Sequence, residues 1–491
     1  MNRRWIGKVI SLVLLVAFVL FSLLLGWAFQ SRSMAALKIW HTTSLKSEFH
    51  SSDATIDYTL TNYLEQEGRL FEELEQKIVL RVEPTKQVSY ERYKQGGVQN
   101  PAWLSRNWNR TYEMVPEQIK GGALLLHGLT DSPYSLRRLA EILYQRGFYV
   151  LALRLPGHGT IPAALTEVSW EDWRAASRIG AKHVRQSIGS ELPFFVAGFS
   201  NGGALAVTYA LDAIVNDNLP EPEQLLLFSP EIGISPFASI ANSQKLLSFI
   251  PYFAKFKWLS IQPEYDPFKY NSFPKNAAQE AWELTDFLDK RVAAARSAGL
   301  LKTFPGVLTF LSWQDSTVYT SKTIHRLYSY LDNDDSELVI FDVNRFDSLV
   351  PFIPVANATP LLKLQADANL PYRLTVITNV SGESEEMAEK TKAPHTNVIE
   401  SRPLDLIWPR DVYSLSHVAI PFPPDDPVYG VGQAGGSDYR GLPLGALSPR
   451  GETRLLIAPV GQLMRLRHNP FFSYVEARVE EEIRESFYPV K

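Results

Sequence analysis

Three residues in one chain order define the chemistry to consider: Ser200, then Asp315, then His417. A serine hydroxyl at neutral pH becomes a nucleophile when a histidine takes its proton. The histidine in turn needs a carboxylate to hold its tautomer. Ser200 lies in Gly198-Phe199-Ser200-Asn201-Gly202, with the strand-like run Phe194–Ala197 before it and a helix-forming run from Ala204 after it. This is the strand–turn–helix context of a nucleophile elbow, where glycines relieve a turn too sharp for side chains. The bare G-x-S-x-G pattern is weak, and a glycine-rich turn with an incidental serine is its plain alternative.

The acid is expected at Asp315, in S-W-Q-D-S-T-V just past the strand Val307–Leu311, where a loop at the carboxyl edge of a sheet would display it. Four histidines follow: His325 in a helix-like run, His395 in a variable insertion, His468 at a helix start in R-L-R-H-N-P, and His417 in S-L-S-H-V before a turn-rich Pro/Asp segment. His417 fits a catalytic loop best. A tetrahedral oxyanion needs two backbone N–H donors; Asn201, after the nucleophile, supplies one, and Leu129, in His127-Gly128-Leu129, the other. His127 and His158 read as structural loop residues. No P-loop, dinucleotide fingerprint or H-E-x-x-H occurs, so the chemistry calls for neither a metal nor an organic cofactor.

The elements that position these residues are short apolar strands alternating with helices. Ala123–Leu126, Tyr149–Leu153, Phe194–Ala197, Leu225–Phe228, Val307–Leu311 and Leu338–Asp342 read as strands. Ser169-x-x-Asp172 marks a helix start. The pattern predicts an α/β fold with a mostly parallel sheet and helices on both faces. An aromatic-rich stretch after Ser229-Pro230, with a helical run from Ala277 to Ser297, reads as a helical cap over the cleft, its plain alternative being a satellite subdomain. Ser381–Lys392 reads as a polar loop after a strand at Tyr372–Asn379. Phe471, Tyr474, Val475, Val479 and Ile483 share one face of a closing helix, and Tyr58–Leu80 predicts an amphipathic helix packed on the main domain or serving as a stalk.

The motifs H-G-L-T-D-S-P at 127–133, L-P-G-H-G-T at 155–160, G-F-S-N-G-G at 198–203 and W-Q-D-S-T-V at 313–318 resemble the serine α/β-hydrolases of the monoglyceride lipase and lysophospholipase type. The resemblance covers about Gly121 to Leu331 and the surroundings of His417. It implies the α/β-hydrolase fold, with Ser200, Asp315 and His417 as triad and Leu129 and Asn201 as oxyanion donors. One departure stands out: about 100 residues separate Asp315 from His417, where such enzymes use a few tens.

The chain has 491 residues, net charge −4 and no cysteine. The charge gives no reason to expect nucleic acid as a partner. The missing cysteine excludes disulfides, thiolate catalysis, Cys-ligated zinc and a lipoprotein anchor. Val9–Phe29 is an uncharged apolar run preceded by Arg3, Arg4 and Lys8, which predicts a single transmembrane anchor with its N-terminus in the cytoplasm and the rest on the periplasmic side. A cleavable signal peptide, with a site near Ser33-Met34-Ala35-Ala36, is the competing reading. The expected organisation is a cytoplasmic stub and anchor at 1–35, a helical and polar extension at 36–120, a hydrolase core at 121–345 and 412–491 with a cap insertion at 231–302, and a second insertion at 346–411. The expected function is hydrolysis of small-molecule or lipid esters, such as a monoacylglycerol or lysophospholipid. The alternatives are acyl transfer, a serine aminopeptidase using Glu264 or Asp266 as an amine subsite, and a non-enzymatic envelope binding protein. Nothing in the sequence fixes the oligomeric state.

Overall fold

The computed structural model describes residues 3–83, 90–104, 106–216, 218–233, 251–331, 335–432, 441–448, 450 and 460–487. The strands are β1 (Tyr112–Met114), β2 (Gly121–Leu126), β3 (Phe148–Leu153), β4 (Phe194–Phe199), β5 (Gln224–Phe228), a separate hairpin of β6 (Trp258–Ser260) and β7 (Phe273–Pro274), β8 (Gly306–Ser312), β9 (Glu337–Phe341), β10 (Arg373–Asn379), β11 (Glu386–Lys392) and β12 (Glu400–Ile407). Ten of them form one sheet in the order β1-β3-β2-β4-β5-β8-β9-β10-β11-β12. From β3 to β10 every neighbour is parallel, and antiparallel strands close both edges.

The central strands are buried along their whole length, as continuous apolar runs covered on both faces must be. Among the described residues the longer helices are α1 (Arg3–Ser33), α2 (Leu60–Lys77), α3 (Arg137–Gln145), α4 (Trp170–Ile188), α5 (Asn201–Ile214), α6 (Lys275–Ser297), α7 (Val355–Ala366) and α8 (Phe472–Phe487). Leu124 and Leu126 face the layer that holds α4, α5 and α6, while Ala123 and Leu125 face α3 and α8. The period-2 alternation of side chains in a strand therefore divides the core into two clusters. The expected capping box is present: the Ser169 N–H donates to Asp172 Oδ2 at 2.9 Å, starting α4.

Three expectations are corrected. The helix after Ser200 begins at Asn201, three residues earlier than Ala204, because the glycine pair is helical and not part of the turn. The run read as the cap's long helix is α6, and it lies in the helical layer. Ala277, Leu284, Leu288 and Val292 are buried in the main core, and Phe287 meets Trp170 of α4 at 4.7 Å between rings. Of the expected cap, residues 265–271 line the cleft, 251–260 packs near α1 and the N-terminal extension, and 234–250 lies outside the described residues. The supposed polar loop at 381–392 contains β11, whose only apolar residues, Met387 and Ala388, are adjacent and both buried, so no period-2 pattern marked it as a strand.

The second insertion thus widens the sheet by β10, β11 and β12. It also closes on itself. Val343 and Ser414 form an antiparallel bridge, the Asn344 N–H donates to the Tyr413 carbonyl at 2.9 Å, and Asn344 Nδ2 donates to the Val412 carbonyl at 3.1 Å. The chain therefore returns to the place it left.

The N-terminal extension is packed on the core, not held off as a stalk. Tyr63 of α2 donates to the Arg154 carbonyl at 2.6 Å. Arg154, 1% exposed, meets Glu48 at 2.9 Å and Glu67 at 3.8 Å and donates to the His158 carbonyl at 3.1 Å. Glu48 also accepts from the Gly157 N–H at 2.9 Å. The expected span Val9–Phe29 falls within α1. Among the described residues no helix is long and apolar enough to cross a membrane; in α1 the described side chains run unbroken only from Leu12 to Val19, all exposed.

Removing the cation of this buried network while leaving both carboxylates should be costly. Arg154→Met is expected to lower unfolding free energy by about 3–5 kcal/mol, read as a shift of the urea midpoint. A shift below about 1 kcal/mol would mean that water screens these charges.

Candidate active site

Register brings the site together. Leu126 pairs with Gly198, Phe199 with Phe228, Phe228 with Phe310, and Ser312 with Phe341. The loops after β2, β4, β5 and β8 therefore all leave the same carboxyl edge of the sheet, the edge where ligands bind in open parallel sheets.

Ser200 has φ 54° and ψ −119°, a left-handed conformation that costs a non-glycine residue on the order of 1–3 kcal/mol. Its surroundings enforce that conformation. The Ser200 N–H donates to the Phe228 carbonyl at 3.0 Å, and its carbonyl accepts from the Gly203 and Glu231 N–H groups, each at 2.9 Å. A Cβ at Gly202 would lie 1.9 Å from the Leu126 carbonyl oxygen, and one at Gly198 2.2 Å from the Gly202 carbonyl oxygen. Glycine at both positions lets α5 begin almost in contact with β2. Thr130 (φ 67°) and Ser229 (φ 41°) also have positive φ, so three of the four such non-glycine positions among the described residues lie around the elbow, the fourth being His395 (φ 55°).

The structure joins Asp315 to His417 across 102 residues: His417 Nδ1 lies 2.7 Å from Asp315 Oδ2. The Thr317 and Val318 N–H groups donate to Asp315 Oδ1 at 2.7 and 3.0 Å. Burial pushes the Asp315 carboxyl up, but the His417 charge and these hydrogen bonds outweigh it and hold the group below the usual carboxylate range. The His417 loop is pinned to the strand that carries the acid, because Ser312 Oγ donates to the Leu415 carbonyl at 2.8 Å. The His417 ring lies 5.2 Å from the ring of Phe199, next to the nucleophile position. The Ser200 hydroxyl makes no hydrogen bond to a described residue, so its link to His417 is not formed in this structure.

Asn201 opens α5, so its N–H has no intrahelical acceptor. Gly128 lies directly over the nucleophile, since a Cβ there would be 3.2 Å from Ser200 Cβ. Leu129 follows it, with its side chain packed on the core. His127 fixes this loop: its Nδ1 meets the Gly128 carbonyl at 2.9 Å, and its Nε2 accepts from the Leu155 N–H at 3.0 Å. Full burial, then the neighbouring His158, hold His127 far below the usual imidazole value. Burial likewise lowers His158 to about 3. Both are neutral loop supports. His468 is buried near the Tyr429 backbone. His325 stands in a short helix, and His395 donates its backbone N–H to the Leu370 carbonyl at the far edge of the sheet.

Segment 263–271 walls the cleft and grips the loop after β2. The Tyr270 N–H donates to the Thr130 carbonyl at 2.9 Å, and Lys269 pairs with Asp131 at 3.0 Å. Tyr134 stacks on Phe268 with 3.9 Å between centroids. A cavity of about 140 Å³ beside Phe199 and Val418 is lined by Asp131, Asp266, Lys269, Arg465 and Arg467. Two larger hollows, about 420 and 560 Å³, border α2 and α4 and contain none of the triad residues. The two cap carboxylates expected as an amine subsite are already engaged. Glu264 is fully buried and accepts from the Asn271 and Ser272 N–H groups. Asp266 accepts from Tyr429 Oη at 2.6 Å and faces Arg467 at 3.4 Å.

Sequence reasoning missed Glu231. It is 7% exposed and hydrogen-bonded through its N–H to Ser200. Burial, reinforced by the Asp315 charge, pushes its carboxyl up to about 8. The signal was an acid just after a buried strand end, in Ser229-Pro230-Glu231, the kind of edge position that already singled out Asp315.

A model of the alpha/beta hydrolase family matches residues 123–380, just over half of the chain. The chain is 37% identical over 89 residues to a thermostable monoacylglycerol lipase of Bacillus sp. (strain H-257), covering 18% of this chain and 34% of the lipase. It is 29% identical over 133 residues to a carboxylesterase of Bacillus subtilis (strain 168), covering 26% of this chain and 53% of the esterase. The chain therefore matches about a third and about half of the length of these two relatives. A solved structure described under LipS and LipT, two metagenome-derived lipolytic enzymes, superposes with a TM-score of 0.38 at 22% identity over 48% of this chain and 88% of that one; so slight a likeness bears no weight here.

Two outcomes follow from this geometry. Gly202→Ala drives a methyl into the Leu126 carbonyl, so activity and the thermal midpoint should both fall; a variant with unchanged midpoint would contradict the close approach. Glu231 has a folded pKa raised above its ordinary 4.5 to about 8, so its contribution to stability falls as pH rises from 4.5 to about 8. Glu231→Gln removes that slope. Its melting temperature relative to wild type should rise between pH 5 and pH 8 and level off above, and a constant difference would show that Glu231 is ionised throughout.

Proposed function

Since the chain belongs to the α/β-hydrolase family, we propose that it is a serine hydrolase that cleaves carboxylic esters through an acyl-enzyme intermediate. The observation that carries this reading is the buried 2.7 Å contact between His417 and Asp315 at the edge where the strained Ser200 elbow opens. His417 Nε2 takes the Ser200 proton as Oγ attacks the ester carbonyl, and Asp315 holds the Nδ1–H. The Leu129 and Asn201 N–H groups receive the oxyanion. His417 then gives its proton to the departing alcohol. Water, deprotonated by His417, attacks the acyl-enzyme, and the acid leaves as Ser200 regains its proton.

The substrate side rests on the local similarity to a monoacylglycerol lipase and a carboxylesterase, and on the aromatic wall of Tyr134, Phe268, Phe422 and Tyr429. Both suit an acyl ester of the monoacylglycerol or lysophospholipid class. We place α1 in a membrane with the catalytic domain on the periplasmic side. The uncharged run Val9–Phe29 is long enough for a bilayer of about 30 Å, and Arg3, Arg4 and Lys8 precede it. The exposed side chains Leu12 to Val19 have no protein layer over them. Lys255 caps the end of α1, donating to the Ser31 and Met34 carbonyls at 3.1 and 2.9 Å, which fastens segment 251–260 to the foot of that helix.

The test is labelling with a fluorophosphonate alongside ester turnover. Wild type should label. Ser200→Ala should lose the label, and Ser200→Ala and His417→Ala should each lose at least about 10⁴-fold in kcat. Label or turnover that survives in Ser200→Ala overturns the nucleophile, and an active His417→Ala moves the base elsewhere. A wild type that neither labels nor turns over an ester leaves a binding protein on a hydrolase scaffold.

A further inference from the structure

Three cations line the cavity beside the nucleophile, and two are matched. Lys269 pairs with Asp131 at 3.0 Å and Arg467 with Asp266 at 3.4 Å. Arg465 has no carboxylate partner among the described residues; its guanidinium donates to Thr317 Oγ1 at 2.9 Å. Burial holds its pKa below the usual guanidinium value despite the nearby Asp315 charge. A guanidinium with one neutral hydroxyl as its hydrogen-bond partner among the described residues, and with Asp315 near but not in contact, keeps further N–H donors for an anionic ligand.

The position of Arg465 ties it to both catalytic loops. Thr317 follows Asp315 by two residues, and the carbonyl of Leu466, the next residue in the chain, accepts from Ser416 Oγ beside His417. The cavity has an aromatic side, at Phe199, Phe422 and Tyr429, and a charged side, at Asp131, Asp266, Lys269 and Arg467, and a hydrophilic alcohol half fits the charged side. A guanidinium offers a planar fork of N–H donors that matches a phosphate with two parallel hydrogen bonds.

We propose that Arg465 forms a subsite for a phosphate carried on the alcohol half of the ester, so that the enzyme selects phosphorylated acyl esters over neutral ones. This rests on the serine-hydrolase reading above and narrows it. Arg465 is a specificity residue and takes no part in bond making.

The experiment compares a 1-acylglycerol with the 1-acylglycerol 3-phosphate of the same short chain, both below their aggregation concentrations, on the full-length protein. Wild type should favour the phosphate ester in kcat/KM. Arg465→Gln should reduce that preference by about tenfold to a hundredfold, the loss of a charged hydrogen-bonding pair, mainly through KM. Arg465→Lys, which keeps the charge and loses the fork, should retain part of it. A structural role for the Thr317 contact would instead lower both esters together. Equal losses on both esters, or a wild-type preference for the neutral one, overturn the proposal. So does turnover of neither ester by a protein whose Ser200 still takes the fluorophosphonate label. If the label itself fails, it is the serine-hydrolase reading that falls, and the subsite with it.

Discussion

The approach of α5 to β2 governs the geometry of the whole cleft. With a Gly202 Cβ excluded at 1.9 Å from the Leu126 carbonyl, the helix that follows Ser200 starts in van der Waals contact with the strand that precedes the Gly128–Leu129 loop. Ser200 and Gly128 are thereby brought together, and Ser200 is forced to positive φ. A strained residue persists only where its neighbours over-determine it. Here three backbone hydrogen bonds, from Ser200 to Phe228 and from Gly203 and Glu231 to Ser200, serve that purpose. Glu231 belongs to this scaffold through its backbone, while its carboxyl is kept protonated near neutrality by burial and by Asp315.

The histidine reaches this edge by an unusual path. In the resembled enzymes the strand corresponding to β9 leads directly to the histidine, whereas here three more strands intervene. The added segment is tolerated because loop length adds little to the entropy of closure and because its ends meet. The Val343–Ser414 bridge and the Asn344 hydrogen bonds make the excursion a side branch of the sheet. The histidine loop then begins where a short connection would have placed it, and Ser312 holds Leu415 there.

Much of this was legible in the sequence. Apolar runs bounded by glycine and polar residues located the strands, and the glycine spacing around Ser200 exposed the elbow, because only a backbone contact explains glycine at both 198 and 202. The histidines could be ranked by local texture, but the physical reason for the ranking emerges in three dimensions. His127 and His158 are buried without a carboxylate and so stay neutral, whereas His417 has one at 2.7 Å. What stayed hidden were features set by tertiary packing. The α6 pattern is amphipathic whether it covers a cleft or the back of a sheet. β11 is mostly charged and places its two apolar residues, Met387 and Ala388, side by side, so it lacks the alternation that marks a strand. The engagement of Asp266 with Tyr429 and Arg467 joins segments more than 150 residues apart.

The same long-range contacts couple the cleft wall to the oxyanion loop. Tyr270 binds the Thr130 carbonyl through its N–H, while its hydroxyl accepts from the Thr160 N–H at 2.7 Å and donates to the Gly157 carbonyl at 3.1 Å. Gly157 and His158 are in turn held by Glu48 and Arg154, which anchor the N-terminal extension. One tyrosine therefore connects the cleft-side segment, the loop that presents Leu129 and the extension that continues from α1. Displacing 263–271 to widen the cleft would break the Thr130 bond and release the Lys269–Asp131 pair, loosening the loop after β2 that the proposed mechanism uses to bind the oxyanion. Preorganised donors stabilise a transition state because they do not have to reorient as charge develops. In the mechanism proposed above that rigidity keeps the wall in place during the chemical step, and the N-terminal extension braces the wall through Glu48 and Arg154.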